Sequence, residues 1–296
     1  KALKFIFILA FAFGMFYSGS SYAQADIINN VEVEVYLTKT IKDDAGNFPV
    51  VRSISEIAGY SAIHIGAQYL SHFGEGQGIL LGGISGVPPA RVIILGAGVV
   101  GEFATRAALG LGAEVRIFDN NVYKLMRLQN NLHTRLYTST INPDTLQKEL
   151  PEADLVIGAI HSESGRSPCV VSEDMVASMK EGAVIVDVSI DQGGCFETSK
   201  VTSHKNPIFH KYGIIHYCVP NISSLVSKTA STALSHVITP ILMSVNRYRG
   251  IQNLIQASMG ARHGVYVYKG SLTNKHLGER FGIKSTDINL LIASSF

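Results

Sequence analysis

Arg91-Val-Ile-Ile-Leu-Gly-Ala-Gly-Val-Val-Gly101 is an apolar, β-branched run that breaks into glycines at Gly96, Gly98 and Gly101. A second short apolar run, Glu114-Val-Arg-Ile-Phe118, stops at Asp119. Strand, G-x-G-x-x-G turn, helix, second strand and terminal acid together form the fingerprint of a dinucleotide site. Gly96 is expected to make the tight strand-to-helix turn, Gly98 to let the backbone approach a pyrophosphate, and Gly101 to let the helix pack closely on the sheet. The helix opening at Gly98 and Val99 points free N–H groups at the phosphates, which favours anions. Asp119 is placed to accept hydrogen bonds from an adenosine ribose and would repel a 2′-phosphate, so the expected cofactor is NAD rather than NADP.

Outward from this stretch the pattern alternates. Helical spacing over 55–70 follows Pro49, with Ser53 or Ser55 as its expected cap, and residues 74–89 read as a glycine-rich loop. After Asp119 come a helix over 122–131, a short strand near Leu136, a helix over 145–150, a strand over 155–160, a helix over 173–180 and strands over 183–188 and 214–219. Near-continuous apolar strands separated by helices imply an α/β fold, a Rossmann-type doubly wound parallel sheet covered on both faces. This domain is expected over 51–225. Residues 1–50 and 226–296 form a second, discontinuous domain, with a strand over 32–37, a turn over 42–47, a long helix over 226–248 striped by Leu234, Val237, Ile238, Ile241 and Val245, and a helical tail.

The 296 residues and net charge of +2 argue against a nucleic-acid surface, since no cluster of Lys and Arg interrupts the balance. Cys169, Cys195 and Cys218 show no C-x-x-C spacing and read as reduced thiols of a cytoplasmic protein. Lys1-Ala-Leu-Lys4, the apolar run to Tyr17 and the small residues to Ala25 look instead like a secretory signal peptide, in conflict with that compartment. No Met opens the chain, so it is read either as carrying a signal-like segment or as starting inside a longer frame.

The strand over 183–188 runs into Ser189-Ile-Asp-Gln-Gly-Gly-Cys-Phe-Glu197. In an open α/β sheet ligands sit beyond the carboxyl ends of the strands, which puts Asp191 beside the cofactor. Gly193 and Gly194 are expected to turn the backbone away without walling off the pocket. Ile190-Asp-Gln-Gly-Gly-Cys-Phe-Glu197, Leu95-Gly-Ala-Gly-Val-Val-Gly101, Ile57-Ala-Gly59, Asp154-Leu-Val-Ile-Gly-Ala159, Lys180-Glu-Gly-Ala-Val-Ile-Val-Asp187 and Tyr217-Cys-Val-Pro-Asn221 resemble the alanine dehydrogenase and NAD(P) transhydrogenase α-subunit family. The Asp-Gln-Gly-Gly-Cys form resembles the alanine dehydrogenase branch.

That resemblance implies NAD-dependent, reversible oxidative deamination of L-alanine to pyruvate and ammonia by a homo-oligomer. It implies Asp191 as the active-site carboxylate and Ser55, Asp119, Lys124 and Asn221 as cofactor contacts, Ser55 reaching toward phosphate. Ile160, Val188, Ile190 and Val219 fall on the nicotinamide side and Ser139 in the adenine region. The family's substrate-binding Arg and Lys and its catalytic His lie upstream of the part matching 31–59. Here the first histidine is His64 and the first arginine Arg52, so the substrate lobe is expected to be truncated. Two alternatives stay open: an NAD(H)-binding module without catalysis, and a transhydrogenase-type NAD(H)-binding subunit. His204, His210 and His216 recur every six residues, a spacing that suits no metal site, and no metal is expected. Cys195 is expected to pack rather than react, and Ser224 or Ser227 to cap the long helix.

Overall fold

The structure, a computed structural model, describes residues 35–36, 41–43, 46–162 and 165–294. The chain divides into two compact units, Ser55–Ser227 and the remainder on either side of it. The signal-like segment and all of the strand expected over 32–37 except β1 (Val35–Tyr36) lie outside the described residues. Among the described residues no helix is long and apolar enough to cross a membrane.

Seven strands make the sheet of the first unit: β2 (Arg91–Leu95), β3 (Glu114–Phe118), β4 (Tyr137–Ser139), β5 (Leu155–Gly158), β6 (Val184–Asp187), β7 (Ile208–Lys211) and β8 (Ile214–Tyr217). Their order is β4-β3-β2-β5-β6-β8-β7. All neighbours are parallel except β7 and β8. The order reverses between β2 and β5, the crevice where such sheets bind ligands. The register sets Leu95 beside both Phe118 and Gly158, and Gly158 beside Asp187, so the strands end level along one edge.

The central strands β2, β5 and β6 are apolar on both sides because both faces are covered. Val92, Ile94, Ile117, Ile157 and Val186 face one core with Ala62 and Ile63 of α1 (Pro49–Leu70) and Ala104 and Ala108 of α2 (Val99–Gly110). Ile93, Leu95, Phe118, Val156 and Ile185 face the other, closed by Leu146 of α4 (Pro143–Glu149), Leu150, and Val176 of α5 (Glu173–Ala177). This is period-two alternation with apolar residues at both phases. Between β3 and β4 runs α3 (Val122–Leu132), which Asn121 caps by accepting from the Lys124 N–H at 3.2 Å.

Three expectations are corrected. Helix α1 begins at Pro49, where proline's missing N–H is harmless in the first turn. Ser53 and Ser55 therefore lie inside it, and the Ser53 hydroxyl donates to the Val50 carbonyl instead of capping. The sheet is not wholly parallel: β7 adds an antiparallel edge through a tight turn in which Tyr212 and Gly213 both have positive φ.

The third correction concerns the second unit, whose tail is not simply helical. After α6 (Ser227–Arg247), α7 (Ile251–Ala257) and α8 (Met259–Arg262), strands β9 (Val265–Tyr268) and β10 (Ser271–Leu272) form an antiparallel sheet with β1 in the order β1-β9-β10. Lys269 and Gly270, both at positive φ, make the hairpin turn. Helices α9 (Lys275–Phe281) and α10 (Ile288–Ala293) follow, and Ile292 joins Ile255, Val265 and Tyr268 in a small core. The expected stripe on α6 is half-buried, and Ser224 accepts or donates with His204 Nε2 at 2.7 Å rather than capping that helix.

His216 on β8 is fully buried, bonded to Thr198 Oγ1 at 2.9 Å and stacked on Phe209. Burial lowers its pKa to about 4. Between that value and the free imidazole's pKa of about 6.5, the unfolded chain binds a proton that the folded chain does not. Its neutral state therefore supports stability fully above about pH 6.5, and the loss on acidification to about pH 4 is of order 3 kcal/mol. Thermal unfolding across this window should show a steep decline for the native chain and a shallower one for His216→Leu.

Candidate functional site

The candidate site lies along the carboxyl edge of β3, β2, β5, β6 and β8. At its centre is the glycine turn. Gly96 has φ +112°, and a Cβ there would sit 2.4 Å from the Ala159 carbonyl oxygen beyond β5. A Cβ at Gly101 would lie 1.8 Å from the Gly96 carbonyl oxygen, so any side chain would push α2 off its strand. Gly98 is different. Its φ is −74°, open to any residue, and nothing lies within 4 Å of where its Cβ would be. Among the described residues no contact demands glycine there, and the backbone is open to an approaching ligand. Gly98 is also the N-cap of α2 and provides no side-chain bond, so among the described residues the N–H groups of Val99 and the rest of the first turn lack a side-chain partner. The fit to a dinucleotide's phosphates rests on these two features.

Asp119, 9% exposed, stands at the end of β3 as expected, but its carboxylate also has a structural task. Oδ2 accepts from the Ala97 N–H at 2.7 Å and Oδ1 from the Asn121 N–H at 2.7 Å, tying the glycine turn to the start of α3. Its own N–H donates to the carbonyl of Ser139, at the end of β4. An open depression of about 450 Å³ adjoins this corner, lined by Val122, Leu125, Met126, Ser139 and Thr140. Lys124 sits half-buried in the first turn of α3. Ser55 is half-buried in α1 and makes no hydrogen bond to the strand ends among the described residues.

On the other side of the crevice the Ile160 N–H donates to Ser189 Oγ at 2.9 Å, which joins the end of β5 to the 3₁₀ turn Val188–Gln192 after β6. Ile190 and Val219 are buried, and Ile160 and Val188 half-buried. Asp191 is exposed, and its Oδ1 accepts from the Asn221 N–H at 3.1 Å. Asn221 takes the left-handed conformation, φ +54°, which asparagine tolerates better than most residues. The residues expected from two distant parts of the sequence thus meet: Gly96 abuts Ala159, the adjoining Ile160 bonds Ser189, and the turn they hold carries Asp191 to Asn221.

The glycine pair does not leave an open wall, contrary to expectation. Gly193 and Gly194 have φ +97° and +82°, so they turn the chain, but side chains fill the room they make. The stem of Arg166 lies over Gly193, where a Cβ would meet its Nε at 3.3 Å. Over Gly194 lie Asp187 Oδ2 and Ser199. Gln192 accepts from the Ser162 N–H at 3.0 Å and donates to the Ser162 carbonyl at 2.9 Å, clamping the loop after β5.

Sequence reasoning missed Asp187, which is 1% exposed and whose pKa burial raises. Its signal was an acid closing a wholly apolar strand, just upstream of two glycines. Cys195 is fully buried; burial drives its thiol pKa well above the ordinary range, which removes it as a nucleophile. His204, His210 and His216 go separate ways: His204 to Ser224, His210 to Glu75 at 3.3 Å, and His216 to Thr198. Among the described residues no group of His, Cys, Asp and Glu is arranged to hold a metal.

Comparison with known proteins gives a consistent result. Residues 62–275 match the family described as alanine dehydrogenase/PNT, C-terminal domain. An alanine dehydrogenase of Staphylococcus haemolyticus is 38% identical over 266 residues, covering 90% of this chain and 70% of that protein. A solved L-alanine dehydrogenase structure superposes with TM-score 0.82 at 34% identity, over 88% of this chain and 72% of the other. A transhydrogenase from Sinorhizobium meliloti shares the fold, with TM-score 0.66 at 20% identity over 86% and 71% of the two chains. With 214 residues matched by the family model (62 through 275) and the substantial identity to relatives, this chain belongs to the alanine dehydrogenase/PNT family.

Proposed function

We propose that the chain binds NAD(H) and serves alanine dehydrogenation: L-alanine, NAD⁺ and water give pyruvate, ammonium, NADH and a proton. The observation that carries this reading is the continuous edge from the glycine turn through Ile160 and Ser189 to Asp191 and Asn221. The 38% identity to an alanine dehydrogenase supports the choice of substrate.

The first-turn N–H groups of α2 and the bare backbone at Gly98 would hold the pyrophosphate. Asp119 would accept from the adenosine ribose with the lone pairs left by Ala97 and Asn121. Lys124 and Ser139 flank the adenosine side, with Ser55 directed to phosphate. Ile160, Val188, Ile190 and Val219 offer an apolar wall to the nicotinamide, and Asn221 completes that end. When bound, NAD⁺ would supply the acceptor for the substrate's α-hydrogen, taken as hydride. The Asp191 carboxylate would accept the proton that the substrate's ammonium must lose before the hydride leaves, and would then orient the water that replaces nitrogen, with the bond from Asn221 fixing the angle of the carboxylate.

The test is alanine-dependent reduction of NAD by the protein, and its reverse with pyruvate and ammonium. NADH binding without either reaction would favour a non-catalytic module, and exchange between NADH and an NADP analogue would favour the transhydrogenase reading. Asp119→Ala has two effects here, because it removes a ribose acceptor and leaves the buried Ala97 N–H without its partner. Affinity for NADH should fall by roughly 10- to 100-fold, with NADPH affected less, so that the preference for NADH narrows. Parallel titrations with the two nucleotides check this; unchanged NADH affinity would refute the ribose contact.

A further inference from the structure

Behind the exposed pair Asp191 and Asn221 lies a second, buried connection between the same two chain segments. Asp187 precedes Asp191 by one 3₁₀ turn, and Cys218 precedes Asn221 by three residues. Ser199 stands between them: its hydroxyl donates to Asp187 Oδ2 at 2.6 Å, and the Cys218 thiol approaches the Ser199 oxygen at 3.8 Å. The path closes on itself, from Asp191 along the backbone to Asp187, across Ser199 to Cys218, along the backbone to Asn221, and through its N–H back to Asp191.

We propose that Asp187 is a positioning residue whose bond to Ser199 sets the placement of Asp191 against Asn221. The inference rests on the catalytic reading of Asp191 given above; the clasp itself does not.

The surroundings of Asp187 suit a carboxylate. The Cys195 N–H donates to Oδ2 at 3.0 Å and the Cys195 thiol approaches Oδ1 at 3.7 Å. The Cys195 N–H can only donate and the Ser199 hydroxyl donates as placed, and a carboxylate accepts from both. Two glycines exist to admit it: a Cβ on Gly158 would fall 2.6 Å from Oδ1, and one on Gly194 2.7 Å from Oδ2. The carboxylate therefore gathers the end of β5, the Gly193–Gly194 turn and the start of the segment bearing Asp191. At the exposed end of the ring the Asn221 to Asp191 bond contributes about 1 kcal/mol. A small displacement of a positioned group is enough to slow chemistry without weakening the binding of a cofactor held elsewhere.

Ser199→Ala removes the 2.6 Å bond with little change in volume and is the first variant to test; Asp187→Asn is the second, with circular dichroism confirming that each folds. For Ser199→Ala the expected result is a drop in kcat for alanine of about tenfold, with NADH affinity within about twofold of the native value. The pH profile of kcat should shift, because Asp191 is held differently. Independently of activity, amide hydrogen exchange in 189–194 and 219–223 should quicken about tenfold, while the Gly96 to Gly101 segment exchanges at the native rate. Unchanged exchange and kcat in both variants would overturn the proposal, as would equal losses in NADH binding and turnover, which would mean general damage. If the native protein does not oxidise alanine, the catalytic reading of Asp191 fails, and the exchange measurement still decides whether the clasp exists.

Discussion

Gly98→Val is expected to fold and melt like the native chain while losing roughly 100-fold or more in affinity for NADH, equivalent to about 3 kcal/mol. The reason is the empty space around its Cβ position: there is no protein atom within 4 Å to clash with, and φ −74° suits valine. The whole penalty therefore falls on the ligand, whose pyrophosphate must approach the backbone where the new methyl groups stand. The neighbouring glycines provide the contrast. At Gly101 even alanine would drive a methyl to 1.8 Å from the Gly96 carbonyl oxygen, so Gly101→Ala should lower the melting temperature as well as binding. Isothermal titration together with thermal unfolding separates the two. If Gly98→Val bound NADH as the native chain does, the dinucleotide would not lie on this turn.

Asp191→Asn should lower kcat for alanine oxidation by about 10³-fold, within the range for losing a positioned acid/base group, and leave NADH affinity nearly unchanged. Asparagine keeps an acceptor oxygen for the Asn221 N–H, so the turn that carries it is preserved. What disappears is the carboxylate that takes the ammonium's proton and orients water. Steady-state kinetics in both directions, with NADH titrated separately, check the result; a variant that retained even a third of native kcat would remove Asp191 from the chemistry.

The parts of the fold that were legible in the sequence are those where local pattern and tertiary environment agree. Arg91–Leu95, Val184–Asp187 and Ile214–Tyr217 are buried on both faces, so their side chains are apolar at both phases and their type is unambiguous. Strand β7, Ile-Phe-His-Lys211, was not seen, because an edge strand half open to solvent needs no apolar signature. The start of α1 was misplaced because serines inside the helix resembled caps, while Pro49 marked the true first turn. In the site, Asp119 and Asp191 were visible by their offset from glycines and strand ends. That Asp119 also clasps the turn through Ala97 could not be read, since a bond spanning 22 residues depends on the register of β2 and β3. Asp187 and Ser199 stayed hidden for the same reason: their meeting is a product of packing and leaves no spacing in the sequence.

The most direct measurement is a calorimetric titration of the protein with NADH and, separately, with NADPH, repeated on Gly98→Val. The expected result is saturable one-site binding of NADH, at least about tenfold weaker binding of NADPH because Asp119 opposes a 2′-phosphate, and loss of NADH binding in a variant whose melting temperature is native. Equal affinity for the two nucleotides, or NADH binding that survives Gly98→Val, would contradict the placement of an NAD site at the Gly96–Gly101 turn.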